Sequence, residues 1–301
     1  MEVRIVKSKR IMLLGLAGLI TLLSLAGCVP LEEATQLLTE IFAVGEGPVD
    51  LEVESSNGRV TVRGVAGQST VAVTATLRSR GETMAEAMLR VAQIDVEMTQ
   101  EGNRIVLRYD SSAHSLDVRR FSGVDFDVTV PILTDVAADT SNGRIEISDL
   151  SGILFLETSN GRIEVTDTLA ELHAHTSNGR IRIENVEGIL DLDTSNSQIE
   201  MENIDGVVDA ETSNGRITFS GMLIADVDHR MVTSNGEISL AIRSDASLII
   251  DASTSNGSIV SSLPLIGDTD GNEWSAVLNP PATGTLTLQT SNGQITMHGI
   301  F

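Results

Sequence analysis

The tetrapeptide Thr-Ser-Asn-Gly recurs along this chain of 301 residues, and its spacing constrains the fold more than any other feature. From Asn142 to Asn214 the asparagine of the motif returns at a constant interval, which lengthens for the last three copies. A catalytic loop is needed once, whereas a turn that shapes a stack is needed in every layer. A fixed period of about 20 residues therefore predicts a solenoid or a similar stacked array.

Alternating apolar and polar residues surround each motif. Ile145 and Ile147 follow one turn, and Leu154 and Leu156 precede the next one. Alternation with a period of two is typical of strands that bury one face. Each unit is therefore predicted to hold two short strands and two bends, which makes the chain all-β.

The asparagines of the motif are expected to form a ladder that runs up the stack. If Leu154 and Leu156 point inward, the alternation places Thr158 and Asn160 on the inward side as well. An amide there can bond the backbone of the bend and the asparagine of the next coil, and the following glycine supplies a positive φ. The predicted turn ladder consists of Asn57, Asn142, Asn160, Asn178, Asn196, Asn214, Asn235, Asn256 and Asn292. A central member such as Asn178 is expected to stabilise the fold more than Asn292 near the C-terminus.

Two arrangements of these units compete. In a β-solenoid each unit stacks in parallel on the next with right-handed connections, whereas in a meander the Asn-Gly turns would form antiparallel hairpins. The meander would set Glu157 against Glu164 and Asp193 against Glu200, and like charges directly opposite each other are destabilising. The solenoid stacks some like charges too, but a repeated inward asparagine favours a ladder. The favoured fold class is an all-β, right-handed parallel β-solenoid (β-helix-like) with coils of about 18 residues.

The solenoid is expected to span residues 48–301, with one short helical excursion near its N-terminal end. The segment Glu82–Gln93 places Met84, Ala87, Met88 and Val91 at helical spacing, which predicts a helix packed on the strands. The stretch Leu263–Thr283 interrupts the period and is expected to be a long loop. Further strands are predicted at Ile94–Met98, Ile105–Tyr109 and Val124–Val130.

Residues 1–27 have the pattern of a lipoprotein signal peptide. Four basic residues precede an apolar run from Ile11 to Leu23, which is too short for a transmembrane helix. The sequence Leu-Ala-Gly-Cys then ends at Cys28 and resembles the lipobox of bacterial lipoproteins, in which the cysteine carries the lipid. Residues 28–47 are expected to be a tether, with a short helix across Glu32–Phe42. The protein is therefore expected to be exported and anchored by a lipid at Cys28 to the bacterial cell membrane or envelope, facing outside the cytoplasm.

The net charge limits the classes of partner, and the cysteine content limits how the domain can be stabilised. Without residues 1–27 the chain keeps 16 basic and 41 acidic residues, a net charge of −25. Such a charge argues against nucleic acid and against adsorption to anionic lipid. Cys28 is the only cysteine, so the exported domain is expected to hold together by packing and hydrogen bonds, without disulfides.

Several segments resemble the bacterial putative-adhesin family. The similarity rests on the opening "VDLEVESSNGRVTV", the helical excursion, the strand Phe126–Pro131, the serial "TSNGRIEI" units and the closing stretch Gly284–Met297. It extends from Val49 to Met297. The resemblance implies a β-helix-like fold and a cell-envelope role, and no site residues are carried over from it.

Potential ligands gather at the outward positions of one strand in successive coils. His173 and His175 would lie beside carboxylates of the neighbouring coils, about 4.8 Å away. Imidazole and carboxylate groups suit a divalent cation, although a solvated acidic face is the simpler interpretation in so acidic a chain. No cofactor is expected beyond weak divalent-cation binding. The candidate metal-binding set is His173, His175, Asp191, Asp193, Asp209 and Glu211.

The sequence thus predicts a non-catalytic cell-envelope lipoprotein, an adhesin-like surface scaffold or binding module with an unknown envelope or surface partner. Two alternatives stay open, namely a glycan-active β-helix enzyme and a divalent-cation-binding envelope protein. The enzyme is less favoured because the carboxylates are repeated rather than singled out. One Trp, one Tyr and six Phe are also too few for a sugar-stacking cleft.

Overall fold

The structure, a computed structural model, describes residues 31–110 and 121–300. The predicted signal peptide and Cys28 lie outside these residues. No helix within the described ranges is long and apolar enough to cross a membrane. The elements are β1 (Glu32–Ala43), β2 (Val49–Ser55), β3 (Val60–Val65), β4 (Thr70–Gly81), α1 (Met84–Val91), β5 (Glu97–Glu101), β6 (Arg104–Tyr109), β7 (Ser122–Pro131), β8 (Thr134–Thr140), β9 (Ile145–Ser148), β10 (Ser151–Thr158), β11 (Ile163–Thr176), β12 (Ile181–Thr194), β13 (Ile199–Thr212), β14 (Ile217–Leu223), β15 (His229–Thr233), β16 (Ile238–Arg243), β17 (Leu248–Thr254), β18 (Ile259–Ser261), β19 (Leu265–Asp268), β20 (Glu273–Leu278), β21 (Thr285–Thr290) and β22 (Ile295–Ile300).

The central coils stack in parallel with a constant register. On β11 and β12, Ile163 lies beside Ile181, and Leu172 lies beside Leu190. The same shift of one repeat relates β10 to β11 and β12 to β13. The β-solenoid is therefore confirmed, and the antiparallel meander is excluded for these coils.

The core lies between the walls of the solenoid and follows the predicted alternation. Ile163, Val165, Leu172 and Ala174 of one coil are buried, while the residues between them face outward. Equivalent side chains of successive coils stack on one another and form continuous apolar columns. Burial of such columns supplies most of the stability of a repeat fold, because each coil covers the next.

The predicted asparagine ladder is present, but it runs along the outside of the bend. The Nδ2 of each ladder asparagine after Asn57 donates to the Oδ1 of a neighbouring ladder asparagine at 2.8–3.1 Å. Asn160 and Asn178 are exposed, whereas the threonines of the same motifs, Thr158 and Thr176, are buried. The predicted inward orientation of the asparagine is wrong because the residues of a bend are not extended, so the alternation loses its phase after the threonine.

The glycine of the motif packs closely against the neighbouring coil in most layers. A Cβ on Gly179 would lie 1.5 Å from the carbonyl oxygen of Gly161, and a Cβ on Gly161 would lie 1.6 Å from that of Gly143. Positive φ angles of 53–59° occur instead at the second bend, where Asp or Asn residues adopt the left-handed conformation. The predicted positive φ of the motif glycine is therefore wrong. The second-bend residues are Asp149, Asp167, Asn185 and Asn203.

The order of the coils differs from the order in sequence at both ends of the stack. β2 and β3 pair with β8 and β9 on one side and with β6 and β7 on the other. β21 and β22 likewise lie between the β15–β16 coil and the β17–β18 coil. The expectation that each unit stacks on the next one is wrong at these points. The ladder accordingly runs from Asn235 through Asn292 to Asn256.

An antiparallel strand, β1, covers the edge of β4 at the N-terminal end of the sheet. β1 pairs with β4 from Glu32 to Ala43 and buries Ala34 and Phe42. The predicted tether with a helix across Glu32–Phe42 is therefore wrong for this segment. A strand is favoured here because it pairs the backbone of β4, which would otherwise form an open edge.

The predicted helical excursion is confirmed as α1. The Thr83 hydroxyl accepts a 3.3 Å hydrogen bond from the Glu86 N–H and caps the helix. Ala87 and Val91 are buried as predicted, but Met84 and Met88 remain 38% and 48% exposed.

The segments around α1 and at the C-terminal end differ in part from the predictions. The strand predicted at Ile94–Met98 begins only at Glu97, whereas β6 and β7 lie where strands were predicted. The predicted long loop across Leu263–Thr283 is wrong, because β19 and β20 form an antiparallel hairpin that pairs with β17. The hairpin covers an edge of β17 that would otherwise be unpaired.

Candidate functional site

A shallow groove of about 680 Å³ crosses the outer face of β2, β8, β10, β11 and β12. Its walls are the outward side chains that alternate with buried residues such as Leu156 and Ala174. Because the strands are hydrogen-bonded neighbours, the alternation of five strands combines into one continuous surface. The charged lining residues are Glu52, Glu54, Asp139, Glu157, His173, His175, Asp191 and Asp193.

Two parallel rows of side chains cross this groove. The first, here called the Phe155 row, has in register Glu52, Ala137, Phe155, His173 and Asp191. The Glu157 row lies two residues further along each strand and has in register Glu54, Asp139, Glu157, His175 and Asp193. Adjacent members of a row are separated by one strand spacing of about 4.8 Å.

The predicted metal-binding residues all lie on this face but form separate pairs. His173 Nδ1 lies 3.2 Å from Asp191 Oδ2, and His175 Nδ1 lies 3.6 Å from Asp193 Oδ2. Arg230 lies 3.1 Å from Asp209 and 2.8 Å from Glu211, beyond the groove. Within residues 31–110 and 121–300, no three His, Cys, Asp or Glu side chains converge in a way that could hold a metal ion. The divalent-cation site stays a prediction.

Phe155 and His173 form an aromatic pair in the floor of the groove. Their ring centroids are 4.8 Å apart and the rings are within 6° of parallel. His173 is also held by carboxylates on both ring nitrogens, since its Nε2 lies 3.3 Å from Glu171 Oε1. Phe155 nevertheless remains 54% exposed. The groove therefore offers an aromatic surface as well as charge.

Three carboxylates lie next to one another in the Glu157 row. Partial burial in the groove raises the pKa of Asp139, and the negative charges of Glu157 and Glu54 on either side raise it further. Glu54 is compensated by Arg108, whose Nε lies 2.6 Å away. Across the described part of the chain, no cationic side chain lies within ion-pair distance of Asp139 or Glu157. The groove thus holds uncompensated negative charge at its centre.

The opposite outer face, which follows the motif bend in each coil, is electrostatically compensated. Arg144 pairs with Glu146 at 2.7 Å, and Arg162 pairs with Glu164 at 2.8 Å. Exposed pairs of this kind contribute little stability each, but they leave few free charges. Of the two faces, the groove is the one with charge available to a partner.

The sequence-based set of candidate residues omitted the centre of the groove. Phe155 and Glu157 lie one repeat before His173 and His175, so counting back by one repeat would have included them. Counting back by one more repeat gives Ala137 and Asp139. Glu52 and Glu54 could not be found in this way, because β2 reaches β8 only through the altered order of the coils.

Comparisons with known proteins identify the family. The Toastrack DUF4097 family model matches residues 49–298. No curated protein matches the chain. Solved structures that align with this chain include a putative adhesin from Parabacteroides merdae, with 11% identity, a TM-score of 0.43 and coverage of 88% of this chain and 96% of that one. A putative adhesin from Bacteroides fragilis has 10% identity, a TM-score of 0.37 and coverage of 88% and 97%.

Proposed function

Since this chain belongs to the Toastrack DUF4097 family, we propose that it is a non-catalytic binding module of the bacterial cell envelope. In this role it is an adhesin-like scaffold that presents its groove to a partner outside the cytoplasm. The observation that carries the proposal is the uncompensated negative charge of Asp139 and Glu157 beside the exposed ring of Phe155. These groups lie on a hydrogen-bonded sheet, so little conformational freedom is lost when a partner binds.

The proposed attachment is a lipid on Cys28. Three residues separate Cys28 from Glu32, where β1 begins, so the chain between them reaches at most about 14 Å. This linker would hold the β1 edge of the solenoid close to the membrane surface. The net charge of −25 after removal of residues 1–27 opposes adsorption of the remaining surface to anionic lipid. The anchor and the binding face would therefore be separate parts of the molecule.

Fractionation of cells tests the anchor. The wild-type protein is expected in the membrane fraction, and Cys28→Ser is expected in the soluble exported fraction with a folded solenoid. A membrane-bound Cys28→Ser protein would contradict lipid attachment at this residue.

Binding to isolated envelopes tests the function. The double variant Asp139→Asn/Glu157→Gln should lose most of the binding, because it removes the uncompensated charge without changing side-chain size. The matched control Glu146→Gln/Glu164→Gln removes two charges from the opposite face and should bind like the wild type. Equal binding of all three proteins would show that the groove is not the functional surface.

The non-catalytic part of the proposal is tested against the glycan-active alternative. The groove is open to water along its length, and its histidines are held by exposed carboxylates, which suits binding better than acid–base chemistry in a closed site. Envelope polysaccharide incubated with the wild type and with Asp139→Asn/Glu157→Gln is expected to show no enzyme-dependent release of reducing ends. Release that depends on Asp139 and Glu157 would instead establish an enzyme.

A further inference from the structure

The Phe155 row contains a gap at the centre of the groove. Ala137 lies between Glu52 on one side and Phe155 on the other. Because alanine carries only a methyl group, nothing of this row fills the space above it. Glu52 and Phe155 stand two strand spacings apart, about 9.5 Å, which leaves room for one planar group between them.

The ring of Phe155 forms one wall of this gap. One face of the ring is covered by the parallel ring of His173 on the next strand, at 4.8 Å. The opposite face is therefore turned toward β8 and Ala137, where there is no side chain large enough to cover it. This uncovered face accounts for the high exposure of Phe155, which is 54%. A free aromatic face attracts a cation within about 6 Å of its centroid.

Carboxylates form the remaining walls. Asp139 is the register partner of Glu157 and lies two residues after Ala137 on β8. Both of these carboxylates lack an ion-pair partner among the described residues. At the far end, Glu52 is already held by Arg104 at 2.7 Å and Arg108 at 2.8 Å. A cation in the gap would thus be paired by Asp139 and Glu157, with Glu52 closing the space.

We propose that this gap receives the guanidinium group of an arginine on a partner polypeptide, stacked on the free face of Phe155 and paired with Asp139 and Glu157. The inference rests on the proposed function of the groove as the binding face and names the chemistry of its partner. A guanidinium fits because it is planar, stacks on aromatic rings, is weakly hydrated and presents several donors to two carboxylates. An ammonium group would pair with the carboxylates but would not fill a flat gap. A metal ion would need three converging donors, an arrangement that the described His, Cys, Asp and Glu side chains do not adopt.

Titration calorimetry with the full chain in detergent tests the proposal. The probes are a short capped arginine peptide and its lysine analogue, each at low and at physiological salt. The arginine peptide is expected to bind at least about fivefold more tightly than the lysine peptide, because only the guanidinium stacks on Phe155. Equal or tighter binding of the lysine peptide would overturn the proposal, because the groove would then attract any cationic peptide by charge alone.

Two substitutions test the geometry without changing any charge. Ala137→Leu fills the gap and should weaken binding of the arginine peptide about tenfold or more, and Phe155→Leu should weaken it about fivefold. Ala241→Leu, at a half-buried outward alanine of β16 outside the groove, is the matched control and should bind like the wild type. Melting temperatures measured beside the titrations separate lost binding from lost folding. Wild-type affinity in a folded Ala137→Leu protein would overturn the proposal.

The outcomes also separate this inference from the proposed function. If binding to envelopes depends on Asp139 and Glu157 but Ala137→Leu binds arginine peptide and envelopes normally, the function stands and the arginine site is refuted. If the arginine peptide needs the gap but envelope binding does not need the groove, the arginine site stands and the function is refuted.

Discussion

The side-chain amide of Asn292 donates a 2.8 Å hydrogen bond to Oδ1 of Asn235, a residue 57 positions earlier in the chain. Asn256, which lies between them in sequence, bonds instead to the other side of Asn292 at 2.9 Å. The C-terminal coil is therefore an interior layer of the stack, and the coil that contains Asn256 is the outer one.

This order predicts which asparagine stabilises the fold least. Asn178 and Asn292 each make two ladder bonds, whereas Asn256 makes one. At about 0.5–1.5 kcal/mol per hydrogen bond, Asn178→Ala and Asn292→Ala should each cost about 1–3 kcal/mol, and Asn256→Ala about half as much. Urea denaturation of the three variants measures the difference. A smaller cost for Asn292→Ala than for Asn256→Ala would contradict the coil order. The sequence-based expectation that Asn178 stabilises the fold more than Asn292 assumed that Asn292 lies at the end of the stack, whereas its two ladder bonds place it inside.

Substitution of a motif glycine should be far more damaging than substitution of the serine that replaces it in one coil. A Cβ on Gly179 would overlap the carbonyl oxygen of Gly161 at 1.5 Å, so Gly179→Ala must push two coils apart. We expect a loss of about 3 kcal/mol or more, which is in the range of severe packing defects. Ser197 occupies the same position of the motif and already carries a Cβ, so Ser197→Ala should cost less than about 1 kcal/mol. Thermal unfolding of both variants tests the contrast, and similar melting temperatures would count against close packing as the role of the glycine.

His229 should make the fold sensitive to mild acid. The side chain is buried, its Nδ1 accepts from the Val208 N–H at 3.3 Å, and its Nε2–H donates to the Ile224 carbonyl at 2.9 Å. Burial lowers the pKa of His229 below its usual 6.5, although the Ile224 carbonyl and Asp228 oppose the shift. The unfolded chain therefore takes up a proton first, so stability is complete above about pH 6.5 and falls by up to about 1.4 kcal/mol per pH unit below it.

The comparison of wild type with His229→Gln isolates this contribution. Melting temperatures are measured between pH 7.5 and 5. The wild type should lose more stability than the variant over the acid half of this range. Parallel pH profiles would show that His229 does not contribute to acid sensitivity.

Asp139→Asn should stabilise the protein at neutral pH. The pKa of Asp139 is raised in the folded state, so its ionised form is less favourable there than in the unfolded chain. Stability is therefore lost as the pH rises from the usual carboxyl range through the raised pKa, and it stays lost at pH 7. Asp139→Asn should therefore raise the free energy of unfolding at pH 7 by a few tenths of a kcal/mol. The gain should be smaller at high salt, and it should vanish at a pH where the wild-type carboxyl is protonated. Destabilisation by Asp139→Asn at pH 7 would refute electrostatic strain at this position.

Calcium and zinc titrations test the predicted divalent-cation site. Because His173, His175 and their carboxylate partners form separate pairs, we expect weak binding without a defined stoichiometry. Calcium or zinc should raise the melting temperature only as far as non-specific screening of the negative charge does. Saturable binding that His173→Ala abolishes would establish a specific site.

The sequence predicted those features of the fold that repeat. The interval between the motifs predicted where each coil begins. The alternation of apolar and polar residues identified Ile163 and Leu172 as core residues. The resemblance to the putative-adhesin family is confirmed by the Toastrack DUF4097 match. Side-chain period predicts orientation only where the backbone is extended, which is why it failed for Asn160 in its bend.

The order of the coils could not be predicted, because the motif is the same in nearly every layer. Any unit could in principle dock on any other through the same asparagine, threonine and glycine contacts. The choice depends on the connections, such as the hairpin of β19 and β20 that occupies the side of β17 opposite β21. For the same reason the sequence predicted His173 on the outer face of its strand but could not place Glu52 and Glu54 on the same groove.

The insertion of β21–β22 between two earlier coils has a consequence for synthesis of the chain. A chain that emerges from its N-terminus cannot complete this stack layer by layer, because the β17–β18 coil has no parallel neighbour until residues 285–300 arrive. Loss of the last residues would not shorten the solenoid by one end layer. It would detach the β17–β18 coil and expose the open edges of β15 and β16, so a prematurely terminated chain would be prone to aggregation and to proteolysis.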